Sequence, residues 1–186
     1  MNKNVIIVGA GGHSQVIKEI IEQNNDTVLG YLDDCKTGND ILGKTNDIIK
    51  FYEQNSRIEF FIAIGNNEIR NKIYKSNNVK YYTAIHTKSI ISPNAKIGEG
   101  SLIMAGAVIN TDSEIGCNCI INTNCIVEHN CKINDGAHLS YGAIIGADCI
   151  IGEKAYIGAG AIIDRNTKIE DLKIVEIGAI VRGEEK

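Results

Sequence analysis

The sequence predicts two domains: an α/β domain with a parallel sheet over residues 1–88, followed by an all-β parallel β-helix over residues 89–186. Two observations carry this prediction. Strand-like and helix-like segments alternate in the first part of the chain, which is typical of a parallel sheet flanked by helices. In the second part an aliphatic residue recurs at every sixth position, which is the signature of a parallel β-helix.

The composition is that of an ordinary globular protein. Of the 186 residues, 44% are hydrophobic and 23% are charged, and the formal net charge is −4. No basic run suggests a nucleic-acid partner, and no stretch approaches the roughly 18 apolar residues that a membrane span needs. The apolar run before the first glycines is too short for the core of a signal peptide. We therefore expect a cytoplasmic protein that binds neither nucleic acid nor a membrane.

The first domain opens with an aliphatic strand, residues 5–8, and a glycine-rich turn, residues 9–13 (GAGGH). Apolar residues then recur at helical spacing, with Ser14 as the predicted N-cap. The other predicted elements are strands over residues 27–32, 59–64 and 81–85 and a helix over residues 68–74. This alternation predicts a Rossmann-like sheet.

The glycine-rich turn lies where parallel sheets bind phosphate, since it exposes backbone N–H groups at a helix N-terminus. Asp33 and Asp34 follow the second strand, where an acid can meet a ribose hydroxyl. Ser14 replaces the third glycine of the dinucleotide fingerprint, and the domain has room for only half of a doubly wound sheet. We therefore predict a mononucleotide-type ligand. The alternative is a turn that merely connects strand to helix.

The repeat of the second domain supplies two inward positions per hexad. The aliphatic position recurs from Ile91 to Ile163, and a small residue follows it four positions later, from Ala95 to Thr167. Cysteines fill several of the small positions and are expected to act as compact apolar side chains. Because Lys173 takes a small position, we expect the regular coils to loosen near residue 170 and residues 174–181 to form a partial cap.

Three hexads make one coil of a triangular prism, so that residues 18 apart stack, and the residue before each inward aliphatic one points outward. This defines a charged face (Lys96, Glu114, Lys132, Ile150, Lys168), a mixed face (Leu102, Ile120, His138, Tyr156) and an apolar face (Val108, Ile126, Ile144, Ile162, Ile180). A continuous apolar stripe needs a cover. Packing around a threefold axis would supply one and predicts a homotrimer. The alternative cover is the first domain of the same chain.

Two histidines lie in the predicted prism. His129 follows Glu128 at a corner between the apolar and charged faces, and His138 projects from the mixed face. A corner histidine beside a carboxylate is a candidate general base; the alternative is a solvated surface residue. A zinc hydratase on the same prism needs three histidines around one metal. This spacing disfavours it, because His86 precedes the prism, and we expect no metal site.

The two domains together resemble the bacterial sugar acetyltransferases of surface-glycan synthesis. That group includes the UDP-4-amino-sugar N-acetyltransferases of the bacillosamine pathway and the sialic-acid O-acetyltransferases. The matching segments are residues 6–13, 32–34, 61–70, 85–86, 122–123, 128–129 and 136–138. The resemblance implies a left-handed β-helix and an acetyl-CoA-dependent enzyme. N-acetylation of a nucleotide sugar of the UDP-4-amino type is favoured, and O-acetylation of sialic acid is the alternative.

The resemblance also implies roles for individual residues. His129 resembles the general base, oriented by Glu128, and His138 resembles the residue that donates a hydrogen bond near the thioester carbonyl. Backbone groups around Gly142 and Ala143 would hold the pantetheine arm of acetyl-CoA. The implied nucleotide-sugar site consists of Gly11, Gly12, His13, Asp33, Asp34, Gly65 and Asn66.

The chain departs from that family directly after the base histidine. Relatives usually carry an acid there, and this chain has Asn130. A non-enzymatic regulator that keeps both folds but lacks turnover is the remaining alternative.

Overall fold

The computed structural model describes residues 2–183, and the chain separates into two compact units, Met1–Thr87 and Lys88–Lys186. In the described part of the first unit, four parallel strands form a sheet of order β3-β2-β1-β4. The strands are β1 (Asn4–Val8), β2 (Thr27–Leu32), β3 (Ile41–Gly43) and β4 (Ile58–Ile62), and a two-residue strand, β5 (Ala84–Ile85), ends the unit. The helices are α1 (Gly12–Gln23), α2 (Ile48–Gln54) and α3 (Asn67–Ser76), with a 3-10 turn over Thr45–Asp47.

The core of the first unit lies on both faces of β1. Val5, Ile6, Ile7 and Val8 are all completely buried, as expected for a central parallel strand that is covered on both sides. On one side, the side chains of β1 pack with those of β2, β4 and α2 in a single apolar cluster. The resulting unit is a small α/β domain, and it leaves the carboxyl ends of β1 and β4 side by side.

Two predictions for the first unit were wrong, and two of its elements were missed. Residues 81–85 do not form a full strand, because Tyr81 makes only an isolated bridge to Phe60. Helix α1 begins at Gly12 with Gly11 as its N-cap, and Ser14 is buried in its first turn, where its hydroxyl donates to the Gly11 carbonyl at 2.6 Å. The short edge strand β3 and helix α2 were not predicted.

The second unit is a parallel β-helix of two-residue strands that follow one another every six residues. Within the described residues, strands 18 positions apart pair in parallel and form three sheets. The charged face contains β7 (Lys96–Ile97), β10 (Glu114–Ile115), β13 (Lys132–Ile133), β16 (Ile150–Ile151) and β19 (Lys168–Ile169). The mixed face contains β8 (Leu102–Ile103), β11 (Ile120–Ile121), β14 (His138–Leu139), β17 (Tyr156–Ile157) and β20 (Ile174–Val175). The apolar face contains β6 (Ile90–Ile91), β9 (Val108–Ile109), β12 (Ile126–Val127), β15 (Ile144–Ile145), β18 (Ile162–Ile163) and β21 (Ile180–Val181).

The predicted inward positions are confirmed along most of the β-helix. The aliphatic positions from Ile103 to Ile163 and the small positions from Ser101 to Thr167 are buried, whereas Ile91, Ala95 and Ile97 are partly exposed. Cysteines at the small positions are buried as predicted, but they are not purely apolar, because their thiols donate to backbone carbonyls of the next coil, as Cys131 does to Gly146 at 3.0 Å. Burial raises the pKa of the Cys125 thiol to about 11. Across the described residues, no helix is both long and apolar enough to pass through a bilayer.

The regular coils continue beyond the expected end, so the prediction that they loosen near residue 170 was wrong. Strands β20 and β21 pair with β17 and β18, and Val175 is buried in the inward position. The Lys173 side chain is exposed, yet its carbonyl still accepts the N–H of Tyr156 at 2.9 Å. The coil persists because backbone groups form the ladder, whatever side chain occupies the small position.

One residue in each corner turn has a left-handed backbone. From Gly100 to Gly178 this residue recurs every six positions, with φ between 54° and 72°. Glycine, asparagine and aspartate occupy most of these positions, because they adopt positive φ at the lowest cost. Asn130 is one of them, with φ of 58°, whereas Leu172 is a bulky exception with φ of 61°.

Candidate active site

His129 lies at the corner where the sequence places it. It stands in the turn between β12 of the apolar face and β13 of the charged face, and it is exposed. Its carbonyl accepts the N–H of Asp148 from the next coil at 3.1 Å. Just before it, the Glu128 carbonyl accepts the buried Ser113 hydroxyl at 2.6 Å. Backbone contacts to both neighbouring coils therefore fix the histidine while leaving its imidazole accessible.

The resemblance implies that Glu128 orients His129. In the part of the chain that the structure describes, no hydrogen bond joins these two side chains. One carboxylate of the adjacent coil, that of Asp148, is held at this corner by a hydrogen bond. Its Oδ1 accepts the Nδ2 of Asn130, the residue after the histidine, at 3.0 Å. Asn130 stands where the family that this chain resembles usually has an acid, and its amide is hydrogen-bonded to an acid of the adjacent coil.

His138 projects from β14 on the mixed face and is half-buried. It stacks in register between Ile120 of β11 and Tyr156 of β17. The imidazole meets the Tyr156 ring edge-on, with ring centroids 5.1 Å apart and an interplanar angle of 82°. This packing against an aromatic ring restricts the orientation of the imidazole.

Gly142 and Ala143 differ in what they offer a ligand. Gly142 occupies a corner turn with φ of 68°, and a Cβ added there would approach no atom closer than the Gly160 nitrogen, at 4.0 Å. Gly160 and Gly178 stack above it and have nothing within 4 Å of an added Cβ. Ala143 is buried, and its N–H and carbonyl both take part in backbone hydrogen bonds. The accessible part of this pair is therefore the bare backbone of the glycine corner.

The glycine-rich turn of the first unit lies at the carboxyl end of β1 and leads into α1. Gly9 has φ of 98°, and a Cβ there would lie 3.2 Å from Cγ1 of Ile64. Gly11 and Gly12 are exposed, with nothing within 4 Å of an added Cβ. At the adjacent strand β4, Asn66 caps α3 by accepting the Ile69 N–H at 3.0 Å. Two helix N-termini thus flank one edge of the sheet, a geometry that favours anions.

Asp33 and Asp34 both make internal hydrogen bonds. Asp33 accepts the N–H groups of Ala10, at 2.7 Å, and of Cys35 and Lys36, both at 2.8 Å. These bonds from Lys36, Ala10 and Cys35 hold the pKa of Asp33 below its usual range.

Asp34, which also follows β2, likewise accepts hydrogen bonds from a loop. It accepts the Thr45 N–H at 3.0 Å and the Thr45 hydroxyl at 2.8 Å. Each carboxylate thus shapes a loop, and only its remaining lone pairs are available to a ribose.

Arg70, which the sequence reasoning did not assign, lies next to several of the predicted site residues. It is 1% exposed, and its Nη1 donates to the carbonyls of Ile64 and Gly65, both at 3.2 Å. Burial lowers the pKa of the half-buried His13 below its usual value, and the charge of Arg70 lowers it further. The sequence does contain a signal for the burial of this arginine. Arg70 lies three residues before Ile73, and this spacing places it on the packed side of α3.

Among residues 2–183, no group of three or more histidine, cysteine or acidic side chains is arranged to hold a metal ion.

Comparison with protein families matches both units. The PglD N-terminal domain family matches residues 4–77, and the GMPPB C-terminal domain family matches residues 72–182. The UDP-N-acetylbacillosamine N-acetyltransferase of Bacillus subtilis (strain 168) is 38% identical over 112 residues, which cover 55% of this chain. The chain spans 52% of that protein's length, and 23% of the length of an uncharacterized protein of Acanthamoeba polyphaga mimivirus that it also matches.

Solved structures match nearly the whole chain. A histidine-to-asparagine variant of perosamine N-acetyltransferase from Caulobacter crescentus, in complex with CoA and GDP-perosamine, is 30% identical with a TM-score of 0.90; the match covers 97% of this chain and 91% of that one. The acetyltransferase domain of PglB from Neisseria gonorrhoeae FA1090, in complex with acetyl coenzyme A, is 28% identical with a TM-score of 0.89; that match covers 98% of this chain and 94% of the other.

Proposed function

This chain belongs to the sugar N-acetyltransferase family in which a PglD N-terminal domain precedes a hexapeptide-repeat β-helix, and from that premise we propose that it transfers the acetyl group of acetyl-CoA to the amine of a UDP-4-amino-sugar. The reaction would serve bacterial surface-glycan or glycoprotein synthesis in the cytoplasm. The observation that carries the proposal is the likeness, over 97% of the chain, to an N-acetyltransferase that holds CoA and a nucleotide sugar together.

The proposed chemistry begins at His129. The amine nitrogen of the sugar attacks the thioester carbonyl carbon of acetyl-CoA while the imidazole removes a proton from that nitrogen. The tetrahedral intermediate then collapses, the carbon–sulfur bond breaks, and the CoA thiolate takes up the proton as the thiol. The exposure of His129 supports this role, since the imidazole must meet two substrates.

His138 would donate a hydrogen bond to the thioester carbonyl oxygen as negative charge develops there. Its restrained position against Tyr156 supports a fixed donor. The bare glycine corner at Gly142 would accommodate the pantetheine arm, because it lets the arm approach the backbone closely.

The nucleotide sugar would bind to a Rossmann-like first domain over residues 1–88. The N-termini of α1 and α3 suit its pyrophosphate, and Gly11, Gly12, Gly65 and Asn66 lie at or beside them. The lowered pKa of His13 favours the neutral imidazole, which can both donate and accept a hydrogen bond. UDP is favoured over GDP because the B. subtilis relative acts on a UDP-sugar and is 38% identical.

The active assembly would be a homotrimer of left-handed prisms over residues 89–186. The apolar face supports this proposal, since Ile90, Ile162 and Ile180 are 67%, 37% and 62% exposed. Five strand spacings of about 4.8 Å separate the first from the last of them, so the stripe is roughly 24 Å long. A monomer would leave that stripe in water.

The experiment offers purified protein acetyl-CoA together with a UDP-4-amino-sugar, a GDP-4-amino-sugar or sialic acid, and identifies acetylated products by mass spectrometry. We expect turnover with the UDP-amine and little with sialic acid, whose O-acetylation is the alternative function. His129→Asn should lower kcat at least about 100-fold, with both substrates still binding in calorimetry. A loss of less than threefold would overturn the base assignment, and acetyl-CoA binding without any product would favour a regulator.

A further inference from the structure

The corner that carries His129 also carries a column of polar residues with left-handed backbone. Asp112, Asn130, Asp148 and Asn166 follow one another every 18 residues, with φ between 56° and 60°. Because the backbone conformation repeats, their side chains leave the prism in the same direction. The 3.0 Å bond from Asn130 Nδ2 to Asp148 Oδ1 shows that two of these side chains meet.

Asp148 is the neighbour of His129 across the coils. Its N–H donates to the His129 carbonyl at 3.1 Å, so the two backbones touch. The residue that stacks directly on His129 is Ala147, which is 18 positions later and carries only a methyl group. Gly146, which stacks on Glu128, has no side chain, so Asp148 carries the first polar side chain of this stretch of the next coil.

The carboxylate has the right chemistry to orient an imidazole. It offers about four lone-pair positions, of which the Asn130 amide uses one. An acid that accepts the N–H of the non-reacting ring nitrogen fixes the tautomer and stabilises the imidazolium that forms when the base takes a proton. Among residues 2–183, neither Glu128 nor Asp148 makes a side-chain hydrogen bond to the imidazole, but the Asp148 carboxylate is held at this corner by Asn130, whereas no hydrogen bond holds that of Glu128.

We propose that Asp148, held by Asn130, is the positioning residue for His129: its carboxylate accepts the imidazole N–H that points away from the substrate. This inference rests on the proposed function, in which His129 is the base. Asn130 therefore does not leave the base without an acid. It links the base to an acid supplied one coil later.

Other charges also surround the imidazole and have to be separated from this effect. Glu128 precedes it, Asp112 lies one coil before it, Lys132 follows on β13, and Arg165 lies two coils beyond its own position. Asp112→Asn is the matched control. It makes the same change of charge at the same corner, with the same left-handed backbone, and Asp112 lacks the bond to Asn130.

The test compares Asp148→Asn with this control in steady-state kinetics. Asparagine tolerates the left-handed backbone of position 148, so the fold should persist, and circular dichroism checks this. Asp148→Asn should lower kcat by about 10- to 100-fold with KM within about twofold.

Two further variants sharpen the test. The double variant Asn130→Asp with Asp148→Asn moves the acid one coil back within the same column and should restore kcat to within about fivefold of the parent. Asn130→Gly keeps a residue suited to positive φ but removes the amide, and should reproduce part of the loss.

A readout independent of turnover is the tautomer of His129, followed by long-range ¹H–¹⁵N NMR of the free protein. Asp148→Asn should change the tautomer ratio, and Asp112→Asn should not. Equal effects of the two variants on kcat, or an unchanged tautomer, would overturn the inference. If His129→Asn is inactive while Asp148→Asn matches its control, only this inference fails; absence of acetyl transfer by the parent protein would instead refute the proposed function.

Discussion

The carboxylate of Asp33 accepts the backbone N–H of Ala10 at 2.7 Å and so ties the end of β2 to the glycine-rich turn after β1. The other carboxylate oxygen accepts two further N–H groups from its own loop. The turn that is proposed to hold a nucleotide sugar is therefore shaped by a negative charge before any ligand arrives.

Asp33→Asn should destabilise the first unit at pH 7 and have little effect in acid. The pKa of Asp33 is lowered in the folded chain, so its contribution to the free energy of unfolding is complete above the unfolded value, 3.8, and is lost as the pH falls through the folded value. Urea unfolding at pH 7 and at the lowest pH at which the parent protein stays folded measures this. The exposed Asp40→Asn serves as control and should change neither midpoint; equal losses at both pH values would contradict the prediction.

Arg70→Gln should raise the pKa of His13. Burial is the larger cause of the lowered pKa and remains, whereas the repulsion between guanidinium and imidazolium disappears. NMR titration of the His13 ring protons, assigned by comparison with His13→Gln, measures the midpoint. Arg57→Gln, at an exposed position, should leave it in place. A midpoint in Arg70→Gln equal to that of the parent would show that Arg70 does not act on His13 through charge.

Ile162→Asp should break the proposed trimer, and Ile150→Asp should not. The two isoleucines are 37% and 40% exposed, but Ile162 lies on the apolar face and Ile150 on the charged face. Burying an unpaired carboxylate in an interface costs several kcal/mol, whereas a solvated one costs little. Light scattering after size exclusion gives the mass of each variant. If the parent is a monomer, or if both variants behave alike, the proposed interface is wrong.

Leu172→Asn should stabilise the β-helix by about 1 kcal/mol, because a bulky side chain at positive φ is strained and asparagine is not. The reverse exchange, Asn166→Leu, at the corresponding position of another corner, should destabilise it by a similar amount. Thermal unfolding of both variants checks the pair. A lower Tm for Leu172→Asn would mean that contacts of the exposed leucine outweigh the backbone strain.

The β-helix could be predicted from the sequence because each inward position makes the same demand on side-chain volume. An aliphatic residue at every sixth position left little freedom of register, and the structure confirms the buried series from Ile103 to Ile163. The end of the β-helix could not be predicted in the same way. Lys173 broke the side-chain pattern, but the ladder depends on backbone groups that no side chain reports.

The first unit was harder to predict because its elements are short and not repeated. β2 has the predicted bounds, Thr27–Leu32, whereas the three-residue edge strand β3 carries too little pattern to be recognised. Ser14 resembled an N-cap by type, yet its hydroxyl found an acceptor inside the first turn. Local residue type alone cannot separate those two outcomes.

The candidate site also combines features that the sequence could predict with features that it could not. The corner position of His129 followed from counting hexads, and the structure places it there. The bond between Asn130 and Asp148 could have been anticipated, since the two are 18 residues apart and occupy identical corners. The burial of Arg70 could be anticipated only in part, because its spacing from Ile73 places it on the packed side of α3 but does not show that the guanidinium is enclosed.

The periodic corners also limit how such a protein can change its length. Each circuit of 18 residues advances the chain by one rung and returns it to the same edge of the prism. Loss of a single residue ahead of His129 would exchange core and surface positions in every later rung and carry the imidazole away from its edge. Loss of a complete circuit would move the imidazole along the axis of the prism but leave it on the same edge, pointing in the same direction. Natural variation in length should therefore come in whole circuits.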